Sequence, residues 1–201
     1  MSMLKNIYKM ALIASTLFSS LYSQVPVSPI IQKDICPFEC CQFGIWKTLS
    51  PLSVYEVEGN TNNPQFIIPA NESFTAINGN VHMIRPGLVI LRRSIDKFSI
   101  GDTVYTLSYR GEGFNDILYH GKIFCVEMFW QTDDEMDYNN IKVGDAKWNN
   151  IAGVLISKPV MVWWVKIRDK DSREGWIRLE NKTVEGFFTE ERIEGMDGCG
   201  G

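Results

Sequence analysis

Apolar and polar side chains alternate most clearly over residues 159–169 and 174–179, two runs joined by a short charged segment. Side chains on a β-strand point alternately to the two faces of its sheet, so this pattern predicts the two strands of a hairpin. One face carries Met161, Trp163, Val165, Ile167, Ile177 and Leu179. The other carries Trp164, Lys166, Trp176 and Arg178. We expect the first face to lie in a core and the second to present aromatic rings beside cations.

Shorter runs of the same kind fill the chain before this hairpin. Turn residues separate them at intervals of roughly eight to twelve residues, which is typical of small barrels and sandwiches. Asn78-Gly79 is the strongest turn signal, because both central positions of a type I′ turn need positive φ. Further turns are predicted at 111–114 and 120–122, and no run has the pattern of a helix of ordinary length. The sequence therefore predicts an all-β fold.

Residues 1–23 have the layout of a secretory signal peptide. Lys5 and Lys9 provide a basic start, an apolar run follows over 10–21, and the small residue Ser23 precedes the expected cleavage at Gln24. The run is too short to span a bilayer. We expect a secreted or periplasmic protein, with a first core helix as the alternative interpretation of this segment.

The charge of the chain argues against two classes of partner. The full sequence has 20 basic and 24 acidic residues, and loss of Lys5 and Lys9 moves the net charge from −4 to −6. Nucleic acids and anionic membranes are bound mainly through clustered lysine and arginine. We therefore expect neither as a partner.

Five cysteines are candidates for disulfides: Cys36, Cys40, Cys41, Cys125 and Cys199. In an oxidising compartment four of them can form two bridges and leave one over. We expect Cys199 to join the 36–41 cluster, because its glycine-rich tail has no packing of its own. Closing so long a loop stabilises by about 4–5 kcal/mol in the chain-entropy treatment.

A metal site or a catalytic thiol is the weaker interpretation of these residues. Zinc needs four thiolates or imidazoles together, and the two histidines, His82 and His120, lie far from the cluster in sequence. The acidic run 133–139 lacks the glycine and glutamate of a calcium loop. Cys125 and His120 are the nearest thiol and imidazole, yet five residues on a strand or turn give them no assured common face. We predict no cofactor, no metal and no catalysis.

The motif Trp163-Trp-Val-Lys-Ile, a charged turn and Gly175-Trp-Ile-Arg resembles the middle hairpin of bacterial SH3-type barrels. A wider pattern adds Cys36-Pro-Phe-Glu-Cys-Cys, Trp46, residues 101–114 and a terminal Cys199-Gly, and is similar to a group of exported bacterial SH3-like proteins of an uncharacterised family. The resemblance implies export and small SH3-like β-barrels, either one elaborated barrel or two fused, and it implies no activity.

The domain boundaries follow from this interpretation. After the signal peptide, residues 24–47 form a cysteine-containing segment, 48–97 a first SH3-like unit, and 98–201 a second unit with a long loop at 131–150.

The face with Trp164, Lys166, Trp176 and Arg178 is the candidate ligand surface. Its rings and cations suit a peptide, a glycan or another protein of the cell envelope. The opposing interpretation is that the long loop covers these rings. We expect a non-catalytic binding protein, with a structural or assembly component as the alternative and a cysteine-dependent enzyme as a third hypothesis.

Overall fold

The computed structural model describes residues 29–132, 151–180 and 193–196. The predicted signal peptide (1–23), the acidic run 133–139 and Cys199 lie outside the described residues. Within them the fold is all-β, and the fourteen strands are β1 (Ile30–Gln32), β2 (Gly44–Thr48), β3 (Leu52–Val54), β4 (Phe66–Ile68), β5 (Ser73–Arg85), β6 (Gly87–Leu91), β7 (Thr103–Gly111), β8 (Phe114–Tyr119), β9 (Lys122–Glu127), β10 (Trp130–Thr132), β11 (Gly153–Ser157), β12 (Val160–Arg168), β13 (Glu174–Glu180) and β14 (Ile193–Glu194).

The first sheet is antiparallel and has the order β13-β12-β5-β2-β14, with β1 also paired to β5. The hairpin of β12 and β13 confirms the pattern predicted from alternation. All six residues predicted for the apolar face are buried, and each is at most 3% exposed. They belong to a core that also contains Trp46, Val81 and Met83.

The second sheet has the order β10-β11-β6-β7-β8-β9 and is antiparallel except for the pair β10 and β11. Two tight hairpins connect β7 to β8 and β8 to β9. Their central residues, Glu112-Gly113 and His120-Gly121, all have positive φ, as a type I′ turn requires. These two turns confirm the turns predicted in this part of the chain.

In the described part of the chain, two paired strands of the first sheet are each continued by a strand of the second sheet. β5 pairs with β12 in the first sheet, and their continuations, β6 and β11, pair in the second. Pro86 and Pro159 stand at the crossing, where a missing backbone N–H interrupts the ladder. Gly87 is needed there, because a Cβ would lie 2.4 Å from Thr106 Cγ2 and 2.9 Å from Pro159 Cδ.

The turn predicted at Asn78-Gly79 is wrong, because β5 runs straight through both residues. Gly79 serves packing instead of a turn. A Cβ on it would lie 2.2 Å from Trp163 Nε1, so the absence of a side chain lets the Nε1 edge of the indole approach the strand. The glycine therefore marks a close contact between β5 and β12.

The second sheet contains strands from both sides of residue 97, where the sequence predicts a boundary between two units. Strands 87–91 and 103–127 share the second sheet, and that whole sheet lies between β5 and β12 of the first. None of the three sheets, the third being β3 with β4, closes into a barrel within the described ranges. The all-β class is confirmed at this coarser level.

A buried polar cluster joins the two sheets. The Asp116 carboxylate on β8 is 2% exposed and accepts hydrogen bonds from Gln32 Nε2 at 2.5 Å and from Arg110 Nε at 2.9 Å. Gln32 Oε1 accepts a further bond from the Ser108 N–H at 3.3 Å. Since Gln32 belongs to β1, this carboxylate fixes the edge of the first sheet onto β7 and β8.

A disulfide joins Cys36 to Cys41, with a Cα–Cα distance of 5.6 Å. Cys40 is also disulfide-bonded, whereas Cys125 is a free, exposed thiol. Of the five candidate cysteines, then, three in the cluster are oxidised, and the pairing of Cys199 with that cluster stays a prediction. Phe38, inside the loop, meets the Trp163 ring edge to face at 5.9 Å, which holds the loop against the first core.

Peptide mapping without reduction is expected to recover Cys36–Cys41 and a second bridge from Cys40 to Cys199. Because the first loop is short, the Cys36→Ser, Cys41→Ser variant should lose only about 2 kcal/mol of unfolding free energy, measured in urea. Cys125→Ser is the matched control and should leave stability unchanged. Recovery of Cys199 as a free thiol would contradict the second bridge.

Candidate functional site

The candidate site is the outer face of the first sheet, opposite its core. This outer face includes Asn78, Asn80, His82, Val162, Trp164, Lys166, Trp176, Arg178 and Glu180, from β5, β12 and β13. Trp164 lies opposite Arg178 and Lys166 lies opposite Trp176, so the two tryptophans are diagonal neighbours. The structure thus brings all four predicted residues together on one face.

A cover formed by residues 55–60 lies over part of this face. Tyr55 exchanges two backbone hydrogen bonds with Trp176, at 2.8 and 2.7 Å, and its ring meets the Trp164 ring at 5.9 Å. On the other side the His82 ring lies 6.2 Å from Trp164. Trp164 is consequently 3% exposed and is a packing residue. The two indoles therefore do not form one open surface.

The cover is anchored by a carboxylate. Glu58 accepts a hydrogen bond from Asn80 Nδ2 at 2.8 Å and contacts His82 Nε2 at 2.5 Å. Asn80 Oδ1 in turn accepts from the Asp34 N–H at 3.1 Å. Asn78 Oδ1 is buried beside this network and has no hydrogen-bond partner in the described part of the chain. An unsatisfied buried acceptor is costly, so this oxygen is a place where a donor would stabilise the face.

Of the two tryptophans on this face, Trp176 stays partly exposed. Two ion pairs flank it: Lys166 Nζ lies 2.9 Å from Glu174 Oε2, and Arg178 pairs with Glu180. Hydrogen bonds from Lys166 and then from Arg168 lower the pKa of Glu174 below its ordinary value. Both predicted cations therefore have carboxylate partners. Among the residues that the structure describes, the rim around Trp176 presents paired charges of both signs.

The outer face also contains a carboxylate–imidazole pair. Glu58 and His82 form a carboxylate–imidazole pair of the kind that serves a nucleophile in hydrolases. The residues that face His82 across the strands are Ile31 and Val162, and neither is a nucleophile. The contact between Glu58 and His82 holds the cover in place over Trp164.

Cys125 and His120 are not brought together. His120 occupies the turn between β8 and β9, where its ring lies 4.0 Å from that of Tyr119. Cys125 lies three residues along β9 from Lys122, or roughly 10 Å at the rise of a strand. In the described ranges no three His, Cys, Asp or Glu side chains group closely enough to hold a metal ion.

Sequence reasoning missed Tyr55, Glu58, Asn80 and His82. A signal for two of them exists, because Asn78, Asn80 and His82 alternate with buried residues along β5. The prediction of a turn at Asn78-Gly79 divided this strand and concealed its polar face. Tyr55 directly follows β3 and forms an isolated bridge with Trp176. Glu58 reaches the site from the turn that follows, where no periodicity marks a residue that folds back.

Comparison with known proteins returned no family model, no curated protein and no solved structure with significant similarity to this chain. The resemblance to exported SH3-like proteins therefore remains a prediction. Among the residues that the structure describes, no helix has the length and apolar character needed to cross a membrane.

Proposed function

We propose that the chain is an exported, non-catalytic binding protein whose ligand rests on Trp176 at the outer face of the first sheet. The observation that carries the proposal is a partly exposed indole on a residue whose backbone is paired on both sides, with Lys166 of β12 and with Tyr55. A large ring held in place contributes contact area at little cost in conformational entropy, which favours recognition of a peptide, a sugar ring or a protein surface.

The paired charges around Trp176 narrow the ligand class. Lys166 and Glu174 offer one donor and one acceptor group on one side of the indole, and Arg178 and Glu180 offer the same on the other. A ligand with many hydroxyl or amide groups can use both kinds of partner, whereas a simple polyanion would be repelled by the carboxylates. We therefore favour a glycan or an extended peptide of the envelope.

Export and an SH3-like origin are part of the proposal. The disulfide Cys36–Cys41 supports export, because disulfides persist in oxidising compartments. The hairpin of β12 and β13 contains the residues that carry the SH3-type resemblance, and it supports an SH3-like ancestry for the first sheet. An assembly component without a small ligand is the second candidate, and the burial of Trp164 beneath Tyr55 favours it.

Trp176→Ala is expected to reduce binding to purified envelope glycan or envelope peptide by at least about tenfold, as at other aromatic hot spots. The Trp176→Ala protein should remain folded by circular dichroism, because its ring is partly exposed. Trp164→Ala is the matched control, and it should lower the Tm without a selective loss of binding. Equal binding by the Trp176→Ala and unaltered proteins would favour the assembly role.

A further inference from the structure

β9 is an edge strand. Within the described ranges it pairs with β8 alone, so the main-chain groups along its other side have no strand partner. Its side chains are unusually open for a strand, with Ile123 51% exposed and Cys125 exposed at the centre. Such an edge is a template for a further extended segment, whose backbone can continue the ladder.

A cleft of about 450 Å³ adjoins the carboxyl end of this edge. It lies between the turn 95–98 and residues 125–129, and its apolar lining comes from Ile95, Phe98, Val126, Met128 and Phe129. This volume is in the range of small-ligand pockets and is ample for one long side chain. The edge and the cleft form one continuous surface, because Cys125, Val126 and Glu127 belong to both.

The charged residues that line the cleft favour a ligand with a positive charge. Asp96 and Glu127 line it, and neither has an ion-pair partner among the described residues. The third charged residue, Lys97, places its Nζ 3.4 Å from the centroid of the Phe124 ring. Phe124 lies beside the cleft, and the same Nζ is 5.4 Å from the centroid of Phe98, which lines it. The lining is therefore net negative, and the Phe98 ring that forms part of its wall is within reach of an ammonium group.

We propose that β9 and this cleft bind an extended peptide with a basic side chain. The peptide backbone pairs with the free edge of β9, and the apolar stem of a lysine lies along Phe98 and Phe129. Its ammonium meets Asp96 and Glu127. This site lies on the second sheet and does not depend on the ligand proposed for Trp176.

The test uses the full chain and three acetylated octapeptides of alternating valine and threonine, with a central lysine, norleucine or glutamate. Binding is followed by NMR titration and by the rate at which iodoacetamide alkylates Cys125. The lysine peptide should bind with Kd near or below about 1 mM and slow alkylation. The glutamate peptide should bind about tenfold more weakly, because it meets two carboxylates.

Three exposed residues provide the matched variants. Asp96→Asn with Glu127→Gln should weaken the lysine peptide about tenfold and leave the norleucine peptide unchanged. Lys97→Met should tighten the lysine peptide a few fold, since a like charge is removed. Equal binding of all three peptides, or none at all, would overturn the proposal. So would a concentration-dependent dimer in sedimentation, which would assign the edge to a second copy of the chain.

Discussion

Trp163→Ala is expected to lower the free energy of unfolding by about 5 kcal/mol, the upper end for a buried aromatic residue. The indole is fully buried and meets the rings of Phe43 and Trp46 at 5.9 and 5.8 Å. Its Nε1 also donates to the Ile35 carbonyl at 2.9 Å, so truncation leaves a buried acceptor unpaired. Urea unfolding followed by far-ultraviolet circular dichroism measures the loss.

The contact of this indole with Gly79 can be tested separately by a double-mutant cycle. Gly79→Ala should destabilise the unaltered chain strongly, because the new methyl group occupies the position of Trp163 Nε1. In a chain that carries Trp163→Leu, Gly79→Ala should lower the free energy of unfolding by much less. Additive effects of the two substitutions would show that the glycine serves some purpose other than this contact.

Asp116→Ala is expected to lower the free energy of unfolding by about 3 kcal/mol. The change leaves the buried Gln32 amide and the Arg110 guanidinium without their shared acceptor. Loss of one partner from a fully buried pair costs about 3–5 kcal/mol, and we place this variant at the low end because the Arg110 side chain is 42% exposed. The same urea titration measures the effect.

A surface carboxylate supplies the control for Asp116. Asp171 lies 3.7 Å from Arg173, and its side chain is 63% exposed. Asp171→Ala should change stability by less than about 1 kcal/mol, as is usual for exposed pairs. If Asp116→Ala behaves like the control, the polar cluster does not fasten the two sheets together.

Much of the strand content could be predicted from the sequence, because alternation reflects burial on one face of a sheet. Met161, Trp163 and Val165 lie in the core for that reason, and the hairpin that contains them is where predicted. The two type I′ turns were also predictable, since each needs residues that tolerate positive φ. These features depend only on neighbours in sequence.

The errors concern relations between distant segments. Asn78-Gly79 satisfies the local rule for a turn, yet the glycine is required by an indole on another strand, 84 residues later. The cover over Trp164 depends on Tyr55 at the end of β3 and on Glu58 in the turn that follows it. Alternation places a side chain on a face, but it cannot indicate what packs against that face.

The crossing of β5 and β12 at the two prolines has a consequence for the order of folding. Arg85 pairs with Val160, 75 residues later, and closing such a loop from an unfolded chain costs roughly 4 kcal/mol in entropy. Once the second sheet has formed, β6 and β11 already hold these ends side by side and that entropy has been lost. We infer that the local hairpins of β7, β8 and β9 form early, and that Trp163 reaches Gly79 only after the second sheet exists.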